Sequence, residues 1–171
     1  MYVLKQLPVE SIDRALERAD HYRELNQPEE AESICRDILA VAPGNLPAKK
    51  LLGLALTDRL AEEGTGVAGD VVAEALAIFG AFDAEYDRMY YTGIVHERCA
   101  KAELRQGNAH NAASSFESAL ACFERAEKLA HADAWEPVLR YNRCVRMLDA
   151  HPELAAALER ARGEQHSVLG D

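Results

Sequence analysis

Apolar residues recur at three- and four-residue steps along most of the chain, and the breaks between these runs mark the helix ends. Ile12, Ala15, Leu16, Ala19 and Tyr22 follow Pro8 and Ser11 at helical spacing, predicting a first amphipathic helix that closes at Asn26. Pro28 sits where a first turn tolerates proline, with Glu29 and Glu30 complementing the positive helix terminus. The second helix they open carries Ala31, Ile34, Cys35, Ile38 and Leu39 on one stripe. Pro43-Gly44-Asn45 ends it. A third helix, from about Leu46 to Leu60, is apolar over more than half its circumference and is expected near the middle of the fold. Glu62 to Asp70 holds three glycines in nine residues and predicts a loop or hinge. Asp70 is expected to cap a fourth helix reaching Phe79, and a turn through Gly80 to Asp83 leads into a long fifth helix stopping at Gly107. Asn108 caps a sixth, with Ala112, Ala113, Phe116, Ala119, Leu120 and Phe123 as its buried stripe to about Leu129. A further helix follows Asp133 to Pro137. The last runs from His151-Pro152-Glu153 to near Arg162, leaving 163–171 as a flexible tail.

The result is an all-α prediction of about seven or eight helices, and composition agrees with it. A chain of 171 residues with 49% hydrophobic content can bury a real core, and the 6% aromatic share beside abundant alanine favours packed helices over sheet. Cys35, Cys99, Cys122 and Cys144 lack C-x-x-C spacing and read as buried thiols in a reducing compartment. The first ten residues contain Lys5, Pro8 and Glu10 and lack the apolar core of a signal peptide. No apolar run is long enough to span a bilayer. The expectation is a soluble, cytoplasmic protein with no membrane role. Acids outnumber bases 29 to 19, for a formal charge of -10, which argues against a nucleic-acid partner.

Two segments repeat one another. Leu25-Asn26-Gln27-Pro28-Glu29-Glu30-Ala31 and Arg105-Gln106-Gly107-Asn108-Ala109-His110-Asn111-Ala112 both read as a junction between antiparallel helices. Around the first, Tyr22, Ala31 and Pro43 stand nine and twelve residues apart, which resembles the Y, A and P of the roughly 34-residue tetratricopeptide repeat. Leu46 to Asp58 resembles the first helix of a second copy, with Leu52-Gly53 as its L-G pair. Ala112-x3-Phe116-x2-Ala119-Leu120 fits the second helix of a third, although Cys99-Ala100 stands where L-G is usual. Ala132 to Trp135 resembles the opening of a fourth copy, from which Pro137 departs.

The resemblance implies a right-handed stack of antiparallel helical hairpins forming one domain over 1–162. Its parts are a clear repeat at 12–45, a degenerate one at 46–82 with a glycine-rich break at 62–70, a lengthened one at 84–131, and capping helices at 132–162. It also implies a function: a non-catalytic adaptor or assembly factor that holds a peptide or helix of a partner protein in a concave groove. The first helix of each hairpin lines the groove in this family, so the implied contacts are Asp13, Leu16, Asp20 and Arg23, then Lys50, Leu54 and Asp58, then Tyr90, Ile94, Glu97, Lys101, Leu104 and Arg105. The Lys and Asn arrangement that clamps a carboxylate in chaperone-binding members is missing from this set. An acidic row at Asp13, Glu17, Asp20 and Glu24 favours a basic partner segment. Self-association through an open repeat edge is a further expectation.

Two other readings are carried forward. Small acidic proteins resembling this repeat class also act as secretion chaperones for exported proteins. His96, Cys99 and Glu103 gather metal-competent groups on one helix, which would suit a metal- or thiol-based redox protein. Against that, no Glu-x-x-His pair, phosphate loop, nucleophile-base pair or zinc-type cysteine set is visible, so neither cofactor nor metal is expected.

Overall fold

The duplicated junction recurs as one backbone motif. Asn26 and Gly107 both take the left-handed conformation, with φ of 58° and 76°. In the first copy Gln27 N–H donates to the Tyr22 carbonyl at 2.8 Å and Asn26 N–H to that of Arg23 at 3.0 Å. In the second, Asn108 N–H donates to Glu103 at 2.9 Å and Gly107 N–H to Leu104 at 3.0 Å. These are paired six-to-one and five-to-two closures that satisfy the last carbonyls of a helix and reverse the chain. Asparagine tolerates that conformation better than most side chains and glycine meets no steric penalty in it, so either residue serves.

The computed structural model describes residues 2–60, 68–131 and 134–168, the side chains of 68 and 161–168 excepted. Its described residues form eight α-helices and no strand: α1 (Ile12–Glu24), α2 (Pro28–Val41), α3 (Leu46–Arg59), α4 (Ala68–Gly80), α5 (Glu85–Arg105), α6 (Ala109–Leu129), α7 (Glu136–Ala150) and α8 (Pro152–Val168). The fold is all-α, as the periodicity predicts. None of the helices in the described residues is long and apolar enough to cross a membrane. Of the glycine-rich stretch 62–70, residues 62–67 lie outside the described residues, as do Ala132 and Asp133 of the expected fourth copy. Asp70 lies within the first turn of α4, where a carboxylate still complements the helix terminus, instead of ahead of it. The helix α8 continues to Val168, six residues past the expected stop at Arg162.

The chain divides into two compact units, 1–80 and 81–171. In the first, α2 packs on both α1 and α3, α3 packs on α4, and α1 also touches α3. The expectation that α3 lies at the middle holds within this unit: Leu51, Leu52, Ala55 and Leu56 are buried on it. Asn45 caps α3 by accepting from Ala48 N–H at 2.9 Å. Glu32 on α2 receives Arg59 of α3 at 2.8 Å, and Arg36 forks onto Glu74 of α4 at 3.0 and 2.9 Å.

In the second unit α5 and α6 form the dominant hairpin, α6 packs on α7 and α8, and α5 also meets α7. The stripe expected on α6 is buried at Ala112, Ala113, Phe116, Ala119 and Phe123. On α5 the burial begins later than the aromatic content suggests. Tyr86, Met89, Tyr90 and Tyr91 are half-buried, and the core starts at Gly93, Ile94 and Val95.

One contact is common to both units: a phenylalanine ring seated on a glycine of the neighbouring helix. A Cβ added at Gly53 of α3 would run into the ring of Phe79 on α4, and one at Gly93 of α5 would stand 2.6 Å from Phe123 of α6. Both rings are fully buried. Gly93→Ala therefore forces Phe123 or the helix pair to move, and should destabilise the protein by about 1–3 kcal/mol in urea unfolding. Gly80→Ala, where nothing lies within 4 Å, should leave stability unchanged or slightly raised.

Candidate partner-binding surfaces

Among the expected groove residues of the first unit, one contact joins α1 to α3. Short reversals on either side of α2 make α1 and α3 run in the same direction, and the Arg23 guanidinium donates to Asp58 at 2.8 Å near the C-terminal ends of both. The two side chains are 16% and 18% exposed, so this pair is partly withdrawn from solvent. Arg23 also reaches Asp20 at 3.4 Å. Asp13, Leu16, Asp20 and Arg23 recur at three- and four-residue steps on α1, and Lys50, Leu54 and Asp58 at four-residue steps on α3. Asp13, Asp20 and Lys50 are exposed, and Leu16 and Leu54 half-buried.

On α5 the same projection meets a different outcome. Ile94 is 2% exposed and Glu97 fully buried, so neither offers surface to a partner in this conformation. Glu97 accepts from Lys101 one turn along α5 and from Arg140 of α7, the latter at 3.1 Å. Arg140 loses charge stability through burial but recovers it from the Glu97 carboxylate and a hydrogen bond with Tyr90, and it is held above its ordinary range. Burial, countered by Arg140, likewise raises the Tyr90 phenol. Leu104 is half-buried and Arg105 exposed at the far end of the helix. Of the residues projected from α5, then, Ile94 is in the core, Glu97 pairs with Lys101 and with Arg140 of α7, and Tyr90 also bonds Arg140.

The thiol and metal candidates are spent on packing too. Burial pushes the Cys99 thiol up to about 11, with the Glu103 carboxylate adding to the effect. His96 is lowered by burial, and Glu103 accepts from the Ser115 hydroxyl of α6 at 2.8 Å. Burial also raises Cys35 to about 11, Cys144 to about 12, and Cys122. A thiol so shifted stays protonated at neutral pH and is a poor nucleophile or ligand. Among the described residues no group of three or more His, Cys, Asp or Glu side chains is gathered closely enough to hold a metal ion.

Projection from the repeat overlooked one concavity. An open concavity of about 520 Å³ at the start of α5 and the end of α6 is lined by Ala84, Tyr86, Asp87, Leu129, Ala134 and Glu136 among others. Tyr86 stacks on Tyr90 with ring centroids 5.9 Å apart and planes 5° apart. Burial, then the Glu136 carboxylate, pushes the Tyr86 phenol up to about 12. The aromatic cluster at 86–91 and the chain's single tryptophan at 135 were the available signals, but they are far apart in sequence.

No family model matches this chain, and comparison with curated proteins and with solved structures likewise finds no match.

Two measurements follow from these placements. Arg140→Met leaves the buried Glu97 carboxylate with Lys101 alone and should cost about 3–5 kcal/mol in urea unfolding. Glu97→Gln should cost less, about 1–3 kcal/mol, because Lys101 and Arg140 keep 27% and 35% of their side-chain surface in water. For the thiols, iodoacetamide at pH 8 should label the folded protein about 100-fold more slowly than the urea-unfolded chain. Labelling of Cys99 at the unfolded rate would restore it as a reactive group.

Proposed function

We propose that this protein is a non-catalytic interaction module of helical hairpins, similar to tetratricopeptide repeats, acting as an adaptor or assembly factor in the cytoplasm. Its first unit cradles an extended, basic segment of a partner protein on the α1/α3 face. The observation that supports this reading is the Arg23–Asp58 pair, which joins α1 to α3 near their C-terminal ends. Eight to ten residues of helix at about 1.5 Å each give the paired rows a length of about 12–15 Å, enough for about four extended residues.

Asp13, Glu17, Asp20 and Glu24 are all exposed along α1. Such a row raises the encounter rate with lysine- or arginine-bearing segments and disfavours anions. Leu16 and Leu54 supply apolar contact between the charged positions. The shifted thiols also favour binding over redox chemistry, since Cys99 holds its proton at neutral pH.

The test is affinity capture from native lysate with crosslinking, comparing the natural chain with Asp13→Lys/Asp20→Lys. Partner recovery at low salt should fall by about an order of magnitude in the variant, and the gap should narrow as salt screens the charges. Crosslinks should fall on α1 and α3. Equal recovery at low salt removes this face from the site.

A further inference from the structure

The cavity at the start of α5 combines three features seen nowhere else among the surfaces described above. Its lining includes the apolar residues Ala84, Leu129 and Ala134, the aromatic Tyr86 and two acidic residues, Asp87 and Glu136. His131 lines it as well. Beside it, Trp135 is 64% exposed and Leu139, one turn along α7, is 56% exposed. Two large apolar side chains are thus exposed at the start of α7, within a few residues of Ala134 and Glu136.

These features select an occupant by exclusion. A purely aliphatic group would strip water from two carboxylates without compensating them, which costs more than its burial returns. An anion would meet like charge. A cation on an aliphatic stem satisfies both the apolar and the acidic lining. A planar guanidinium further suits a tyrosine face and two separate carboxylates, addressing each through its own N–H donors while it stacks. The exposed Trp135 and Leu139 then match an apolar neighbour of that arginine in the same segment, since tryptophan is a common anchor of binding.

We propose that this cavity receives an arginine side chain from an apolar segment of a partner protein, its stem against Leu129 and Ala134, its guanidinium between Asp87 and Glu136 over Tyr86, and its neighbour on Trp135 and Leu139. The site lies wholly in the second unit and does not depend on the α1/α3 reading. It adds a sequence requirement to the partner: arginine flanked by apolar residues.

Trp135 is the chain's only tryptophan, so its fluorescence reports occupancy directly. The full-length protein is titrated with acetyl-Leu-Arg-Leu-amide, with the uncharged citrulline counterpart, and with acetyl-arginine-amide. The arginine peptide should shift Trp135 emission and bind at least about tenfold more tightly than the citrulline peptide. That preference should vanish in Asp87→Asn/Glu136→Gln. Absence of binding, equal affinity for the arginine and citrulline peptides, or a preference that survives the Asp87/Glu136 substitution overturns the proposal. Acetyl-arginine-amide binding as tightly as the tripeptide also overturns it, assigning the cavity to a free guanidinium compound. The citrulline comparison in the unsubstituted protein decides the matter even if the double variant folds poorly.

Discussion

Each unit depends on a phenylalanine ring lying where a neighbouring helix has no side chain. Phe79 on Gly53 and Phe123 on Gly93 let α3 meet α4, and α5 meet α6, more closely than any larger residue allows. Small residues extend the close approach: Ala55 and Ala75 are buried in the first unit, and Ala100, Ala112 and Ala119 in the second. Burying each ring is worth roughly 1.5–3 kcal/mol, but its geometric effect is larger than its energy. A helix pair seated this way has one rotation and one register, so every other side chain on those helices inherits its direction from the glycine contact.

That inheritance explains why similar polar residues meet different fates. On α1 and α3, Arg23 and Asp58 meet at the edge of a face whose other charged members are exposed. On α5, Gly93 must face Phe123, and α7 packs on the same helix; Glu97 is thereby carried into the interior, where Arg140 and Lys101 neutralise it. A buried carboxylate with two cationic partners is weak evidence for stability gained over an apolar core, but it penalises any arrangement of α7 that withdraws Arg140. Its role is to specify the packing of α5 against α7. Cys35 and Cys144 follow the same logic, their thiols serving as small apolar groups in the interior, whereas the expected burial is only partial at Cys99 and Cys122.

What is left for partners is what the helix contacts do not consume. On the α1/α3 face Asp13 and Asp20 stay exposed while Asp58 pairs with Arg23, and the cavity between the start of α5 and the end of α6 has two acidic residues among its apolar lining. Both carry acidic residues, in keeping with the chain's overall acidity. They differ in what surrounds the charge: a polar, shallow surface in one case and an aromatic, partly enclosed one in the other. A partner segment reading both would need basic character throughout and at least one arginine set among apolar residues.

The all-α class, the near positions of most helix ends and the two reversals at Asn26 and Gly107 were legible in the sequence, because they depend on local chemistry: helical periodicity, proline in first turns, and the few residues that accept a left-handed backbone. Buried stripes on α2, α3 and α6 were legible for the same reason. Which way a stripe of mixed polarity turns was not, since periodicity defines angles around one helix and says nothing of where its neighbours lie. Glu97, spaced like a groove residue, is interior because α7 covers it. Tyr86 and Tyr90, apolar enough for a core, stay half-exposed at an end of the unit where the chain turns. The cavity joins Tyr86 and Asp87 to Glu136 across some fifty positions of sequence, a juxtaposition created only when α6 reverses the chain. Sequence alone determined the helices and their reversals through short-range forces; the tertiary structure decided which polar groups are spent on packing and which remain for a partner, because burial is settled by contacts between residues far apart in the chain.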